Sequence, residues 1–141
     1  MSQIIHSGFH YTTTNAGFVS ARVYPTIDPE PHFSAQTYRG KVVLITGASR
    51  GIGAETALAY ARAGASVAIL ARSQGTLDER AAEIRFSVPG AQVLVVSADV
   101  RDVQAVDAAV KATLSLFERI DIVIANAGAL TLSNRTSSTF K

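Results

Sequence analysis

Apolar residues fall into two alternating patterns along this chain. Unbroken runs of β-type residues occur at Val42-Val43-Leu44-Ile45, at Ser66 to Leu70, within Gln92 to Ser97 and at Ile120 to Ile124. A short run without polar interruption predicts a strand covered on both faces, as in a parallel sheet. Between the runs, apolar positions recur every three or four residues. Ile52, Thr56, Ala59 and Ala63 mark one predicted helix, which Gly64 ends. Leu77, Ala81 and Ile84 mark a second; Thr76-Leu77-Asp78-Glu79 has the form of a capping box at its start, and Pro89-Gly90 stops it. Val103, Val106, Val110, Leu114 and Phe117 mark a third, with Asp102 placed to cap it.

Four strands separated by three helices of crossover length predict an α/β, Rossmann-type three-layer fold: a parallel sheet wound in right-handed βαβ units, strand order 3-2-1-4. Ligands of such sheets bind beyond the carboxyl ends of the strands, where the order reverses, here between strands one and four. The patterned region sets a domain at residues 39–129. Residues 1–38 show no sustained period and carry Pro25, Pro29 and Pro31, which predicts an irregular N-terminal extension. Residues 130–141 are polar and aperiodic and read as a tail.

Composition narrows the classes of function. With 48% hydrophobic and 17% charged residues the chain is globular. The net charge of +2 comes from dispersed arginines and lysines without aromatic interleaving, so nucleic acid is not an expected partner. There is no cysteine, hence neither a disulfide nor a thiolate metal site. His6 and His10 have metal-pair spacing, but Ser7-Gly8 between them breaks any helix, and no metal site is expected. No apolar run is long enough to cross a membrane. The first residues lack the features of a secretory signal; the segment before Asp28 is Ser- and Thr-rich with one Arg, a faint transit-peptide composition. Cytoplasmic location is the expectation, with mitochondrial the second choice.

The candidate chemistry lies where the first strand turns into the first helix, at Thr46-Gly47-Ala48-Ser49-Arg50-Gly51-Ile52-Gly53. A helix N-terminus has unpaired backbone N–H groups and the positive end of the macrodipole, so it attracts an anion. Gly47 supplies a tight turn, Gly51 gives a pyrophosphate access to the backbone, and Gly53 lets the helix lie close. Ala54 stands where an ATP-type loop would carry lysine. At the end of the second strand, Ala71-Arg72-Ser73 has no acid to take a ribose 2′-hydroxyl; Arg72, with Arg50 as a second contact, suits a 2′-phosphate. This predicts NADP over NAD. The bland alternative is that both arginines are merely exposed.

Thr-Gly-x-x-x-Gly-Ile-Gly at the end of a first strand resembles the cofactor loop of the short-chain dehydrogenase/reductase family. Asp99-Val100 matches the family's Asp-Val pair, whose Asp bonds the adenine amino group. Asn126-Ala127-Gly128 matches its Asn-Ala-Gly on the adenine-ribose side, with Ala125 where many members have a second Asn. Taken alone, Asp99 is equally a turn or cap residue. The resemblance covers residues 40 to 128 and implies an oxidoreductase passing hydride between NADP(H) and a carbonyl or alcohol, usually homo-oligomeric. The implied cofactor contacts are Gly47, Ser49, Arg50, Gly51, Ile52, Gly53, Arg72, Ser73, Asp99, Val100, Asn126, Ala127 and Gly128.

The resemblance also implies a Tyr-x-x-x-Lys proton donor with a preceding Ser, and no match to it is present. Four residues after Tyr11, Tyr24, Tyr38 and Tyr60 stand Asn15, Asp28, Val42 and Gly64. No catalytic residue is therefore assigned. Two expectations stand: the cofactor-binding portion of an NADP-dependent enzyme truncated after its fourth strand, or a non-catalytic nucleotide-binding module.

Overall fold

The computed structural model describes residues 27–128. In chain order its elements are α1 (Glu30–Ala35), β1 (Val42–Thr46), α2 (Gly51–Arg62), β2 (Ser66–Ala71), α3 (Gln74–Ser87), β3 (Val93–Ser97), α4 (Val103–Phe117) and β4 (Ile122–Ile124). The strands form one parallel sheet in the order β3-β2-β1-β4, as the pattern predicts. β1 is one of the two inner strands, and its Val42, Val43, Leu44 and Ile45 are all buried.

Alternate strand residues face opposite layers. Val43, Ile45, Val67 and Ile69 pack with Ala57 and Ala61 of α2 and with Leu77, Ala81 and Ile84 of α3. Leu70 joins Ala98, which follows β3, and Ala109 of α4 in a smaller cluster on the other side. The α4 layer is thin. Ala109 and Thr113 are its buried residues, and the Thr113 hydroxyl donates to the Ala109 carbonyl at 2.8 Å.

Several boundaries differ from the pattern. The buried stripe of α2 is Gly53, Ala54, Ala57 and Ala61, whereas Ile52 is 80% exposed. The smallest residues face the sheet because the helix approaches it closely, so hydrophobicity alone points to the wrong side. Helix α3 begins at Gln74, with Ser73 as a backbone N-cap. Thr76 is no cap: it lies in the first turn, and its hydroxyl donates to the Ser73 carbonyl at 3.0 Å. On α4, Asp102 does cap, its carboxylate accepting from Gln104 N and Ala105 N, but Val103 is 81% exposed and Leu114 is exposed too.

The proposed irregular extension contains α1. Its prolines are compatible because Pro29 and Pro31 fall at the N-cap and first turn, where no intrahelical N–H is needed. The Gln36 side-chain amide donates to Phe33 O and to Arg62 O at 2.8 and 2.7 Å, and Tyr38 N donates to Ala63 O at 2.9 Å. The end of α2 is thereby satisfied by the segment that precedes β1. The expectations for His6 and His10, for a transit-like leader and for the tail at 130–141 lie outside the described residues. No helix among the described residues is long and apolar enough to cross a membrane.

Candidate functional site

The carboxyl ends of β1 and β4 meet through Thr46. Its hydroxyl accepts from Asn126 N and Ala127 N at 3.1 and 3.0 Å and lies 3.4 Å from the Ile124 carbonyl. In return the Asn126 side-chain amide donates to Thr46 O and Gly47 O at 3.1 and 3.2 Å. Asn126 thus staples the start of the glycine loop to β4. The sequence placed Thr46 at the head of the loop motif without a role of its own; a second signal is that it is a β-branched hydroxyl residue at the last position of an otherwise apolar strand.

The loop itself turns at Gly47, whose φ is +69°, and Gly47 N donates to Leu70 O of β2 at 2.7 Å. A Cβ at Gly47 would stand 2.8 Å from Ala127 Cα. A Cβ at Gly53 would stand 2.4 Å from both Gly47 O and the Asn126 amide nitrogen, so Gly53 serves closeness of helix to loop. Gly51 differs: its φ is +59° and the space beside it is open. Arg50 precedes α2 in extended conformation, and among the described residues no side chain caps that helix. Its first-turn N–H groups have no side-chain acceptor among those residues.

These loops bound an open cleft of about 850 Å³ beyond the carboxyl edge of the sheet. The glycine loop contributes Gly47, Ser49 and Arg50; the end of β2 contributes Arg72 and Ser73; the end of β3 contributes Asp99 and Val100; and Asn126, Ala127 and Gly128 close the side next to β4. Gly51, Ile52 and Gly53 do not line it, lying in the first turn of α2. The end of β2 is held by Ser97 Oγ, which donates to Arg72 O at 2.9 Å, and by Ala98 N, which donates to Ala71 O at 2.9 Å.

Arg101, a lining residue that sequence reasoning missed, faces Asp99. Its backbone N donates to Asp99 Oδ1 at 3.0 Å, and its guanidinium reaches both carboxylate oxygens, Nη2 to Oδ2 at 2.6 Å. The side-chain and backbone bonds from Arg101, with the charge of Arg72 adding to them, bring the Asp99 carboxyl from the ordinary 3.8 down to about 2. The signal that could have found this pair is Asp-x-Arg spacing after a strand, where a turn folds the second side chain back on the first.

A parallel sheet in the order β3-β2-β1-β4, with a glycine turn at its switch point and Arg50, Arg72 and Arg101 lining the adjoining cleft, defines a Rossmann-type fold. The short chain dehydrogenase family profile matches residues 41–140, and the chain belongs to that family, whose members bind a nicotinamide dinucleotide. A short chain dehydrogenase/reductase of Aspergillus oryzae is 42% identical over 98 residues, which cover 70% of this chain and 36% of the relative. The 3-oxoacyl-(acyl-carrier-protein) reductase of a Synechocystis strain is 44% identical over 89 residues, 62% of this chain and 35% of the relative. Among solved structures, L-sorbose reductase from Gluconobacter frateurii, complexed with NADPH and L-sorbose, aligns with a TM-score of 0.65 at 36% identity, over 72% of this chain and 38% of that one. The chain spans about a third of the length of the curated relatives it matches.

Proposed function

We propose that residues 39–129 are the cofactor-binding portion of an NADP-dependent oxidoreductase that moves hydride between NADP(H) and a carbonyl or alcohol. The observation that carries this reading is the grouping of Arg50 and Arg72 around a glycine turn and an uncapped helix start, with Ala71 where an NAD-type site would present a carboxylate. The space beside Gly51 is open, so the backbone at the helix start is bare, and the cations lie on both sides of it, Arg50 on the glycine loop and Arg72 at the end of β2. The bound dinucleotide supplies the hydride. What this chain supplies is position and charge. Gly47, Ser49 and the first turn Gly51, Ile52 and Gly53 take the pyrophosphate. Arg72, with Arg50 as a second contact and Ser73 beside it, takes the 2′-phosphate; Asp99 and Val100 take the adenine edge, and Asn126, Ala127 and Gly128 lie along the adenosine ribose.

The sorbose reductase bound to NADPH supports the choice of NADP. Cytoplasmic location and a homo-oligomeric full-length enzyme belong to the same reading.

Titration of the chain with NADPH and NADH decides the cofactor. NADPH is expected to bind at least about tenfold more tightly, as a bidentate arginine–phosphate pair contributes more than about 1.4 kcal/mol. The double substitution Ala71→Asp with Arg72→Ala is expected to invert that order. Unaltered NADPH affinity in the double variant would remove Arg72 from the assignment.

A further inference from the structure

Among the described residues Asp99 is the one acid in the cleft lining, and in this structure its acceptor positions are already engaged. Oδ1 accepts from Arg101 N and Nε; Oδ2 accepts from Arg101 Nε and Nη2. The two kinds of bond differ in permanence. The backbone bond belongs to the turn, which Asp102 N closes on Asp99 O at 3.0 Å, and it fixes the carboxylate in place. The guanidinium is 80% exposed, and an exposed ion pair is worth little, so it can swing away at small cost. The subsite therefore has two faces. With the guanidinium on Asp99 it offers N–H donors to the cleft, because a guanidinium has five and Asp99 uses only some of them. With the guanidinium displaced it offers carboxylate acceptors.

Resting on the dinucleotide reading above, which puts a purine at Asp99, we infer that Arg101 sets the base specificity of this subsite by letting it take either polarity of the purine six position. A 6-amino purine donates to Asp99 after displacing the guanidinium. A 6-oxo purine accepts from the guanidinium while Asp99 holds it. Without Arg101 a 6-oxo group would face an uncompensated carboxylate, and the site would take the amino form alone.

The test compares NADPH with its hypoxanthine analogue, in which the adenine amino group is replaced by oxygen, in calorimetric titrations of the wild-type chain, Arg101→Ala and Arg101→Lys. Wild type is expected to show a small preference for the adenine form. In Arg101→Ala that preference widens by about tenfold, the worth of one charge-assisted hydrogen bond. Arg101→Lys, which keeps a donor, restores part of the tolerance. A general loss of charge would weaken both ligands equally, so only the ratio reports on the inference. Matching ratios in wild type and Arg101→Ala overturn it while leaving the dinucleotide reading intact. Failure of wild type to bind either ligand overturns both. Far-ultraviolet dichroism and a melt on each variant confirm the fold, which an exposed side chain should not perturb.

Discussion

At the scale of single residues, the glycines of the turn divide by what each one avoids. Gly53 sits with no room for a methyl group, since a Cβ there would press on a backbone carbonyl and on the Asn126 amide. Gly51 has room, but its φ of +59° strains any residue with a Cβ. Gly53→Ala is accordingly expected to cost about 1–3 kcal/mol through overpacking. Gly51→Ala is expected to cost about 1–2 kcal/mol through backbone strain alone. Denaturant titration of both variants measures the order, and a larger loss in Gly51→Ala would contradict the distinction. The sequence marked both as glycines of one loop. It assigned access to Gly51 and closeness to Gly53, but it could not name what crowds Gly53, because one of those atoms comes from Asn126, and spacing along the chain carries no trace of that neighbour. Arg101 was hidden differently. Asp99 was visible through its match to a motif, while the Asp-x-Arg spacing two residues on is a local signal that became informative once the turn was seen to bring the guanidinium back onto the carboxylate.

At the scale of elements, the strands were legible and the helix faces were less so. A strand buried on both sides writes itself as an unbroken apolar run, and β1 and β2 lie where those runs predict. Strand β4 is shorter than its run, beginning at Ile122 because Asp121 ahead of it turns to bond the neighbouring strand. Helix α2 misled because its buried residues are its smallest, and α1 was hidden by prolines that suit a first helical turn. Asp121 deserves a measurement of its own as the pin between β1 and β4. Its Oδ2 accepts from Arg119 Nε at 2.8 Å and from Val42 N at 2.9 Å, and Lys41 Nζ stands 3.4 Å from Oδ1. The Arg119 bonds first, then the Val42 bond, lower its carboxyl from the ordinary 3.8 to about 2. The folded pKa lies below the unfolded one, so this contribution is complete above about pH 4 and fades as the pH falls toward about 2. Melting temperature should hold level on this account from about pH 7 to 5 and drop below about pH 4. Asp121→Asn is expected to melt lower at neutral pH and to show a shallower acid drop. An acid drop as steep as that of wild type would assign the effect elsewhere, with Asp99, shifted in the same direction, as the next group to replace.

At the scale of the molecule, the two sides of the sheet are unequally covered. One side carries α2 and α3 over a continuous core, whereas the other carries α4, which buries little. Val103, Leu114 and Leu116 of α4 and Val123 of β4 are exposed, and among the described residues β4 pairs with β1 alone. An apolar face beside an unpaired strand edge favours association. Light scattering on the isolated chain is expected to give a mass that rises with concentration. A constant monomer mass over a hundredfold range, about 1 to 100 μM, would show that this face is covered in solution.

The Thr46–Asn126 staple joins residues 80 positions apart in the chain. Bringing such distant segments together costs loop-closure entropy that local helices do not meet, so contacts of this kind form late in folding. The glycine turn and the three strands before β4 are synthesised early, yet the turn acquires its rigid partner only after residue 127 has been made. In a chain growing from its N-terminus the glycine turn therefore stays soft until residue 127 has been made, and it gains its rigid partner in one step, with the docking of β4, the shortest strand among the described residues.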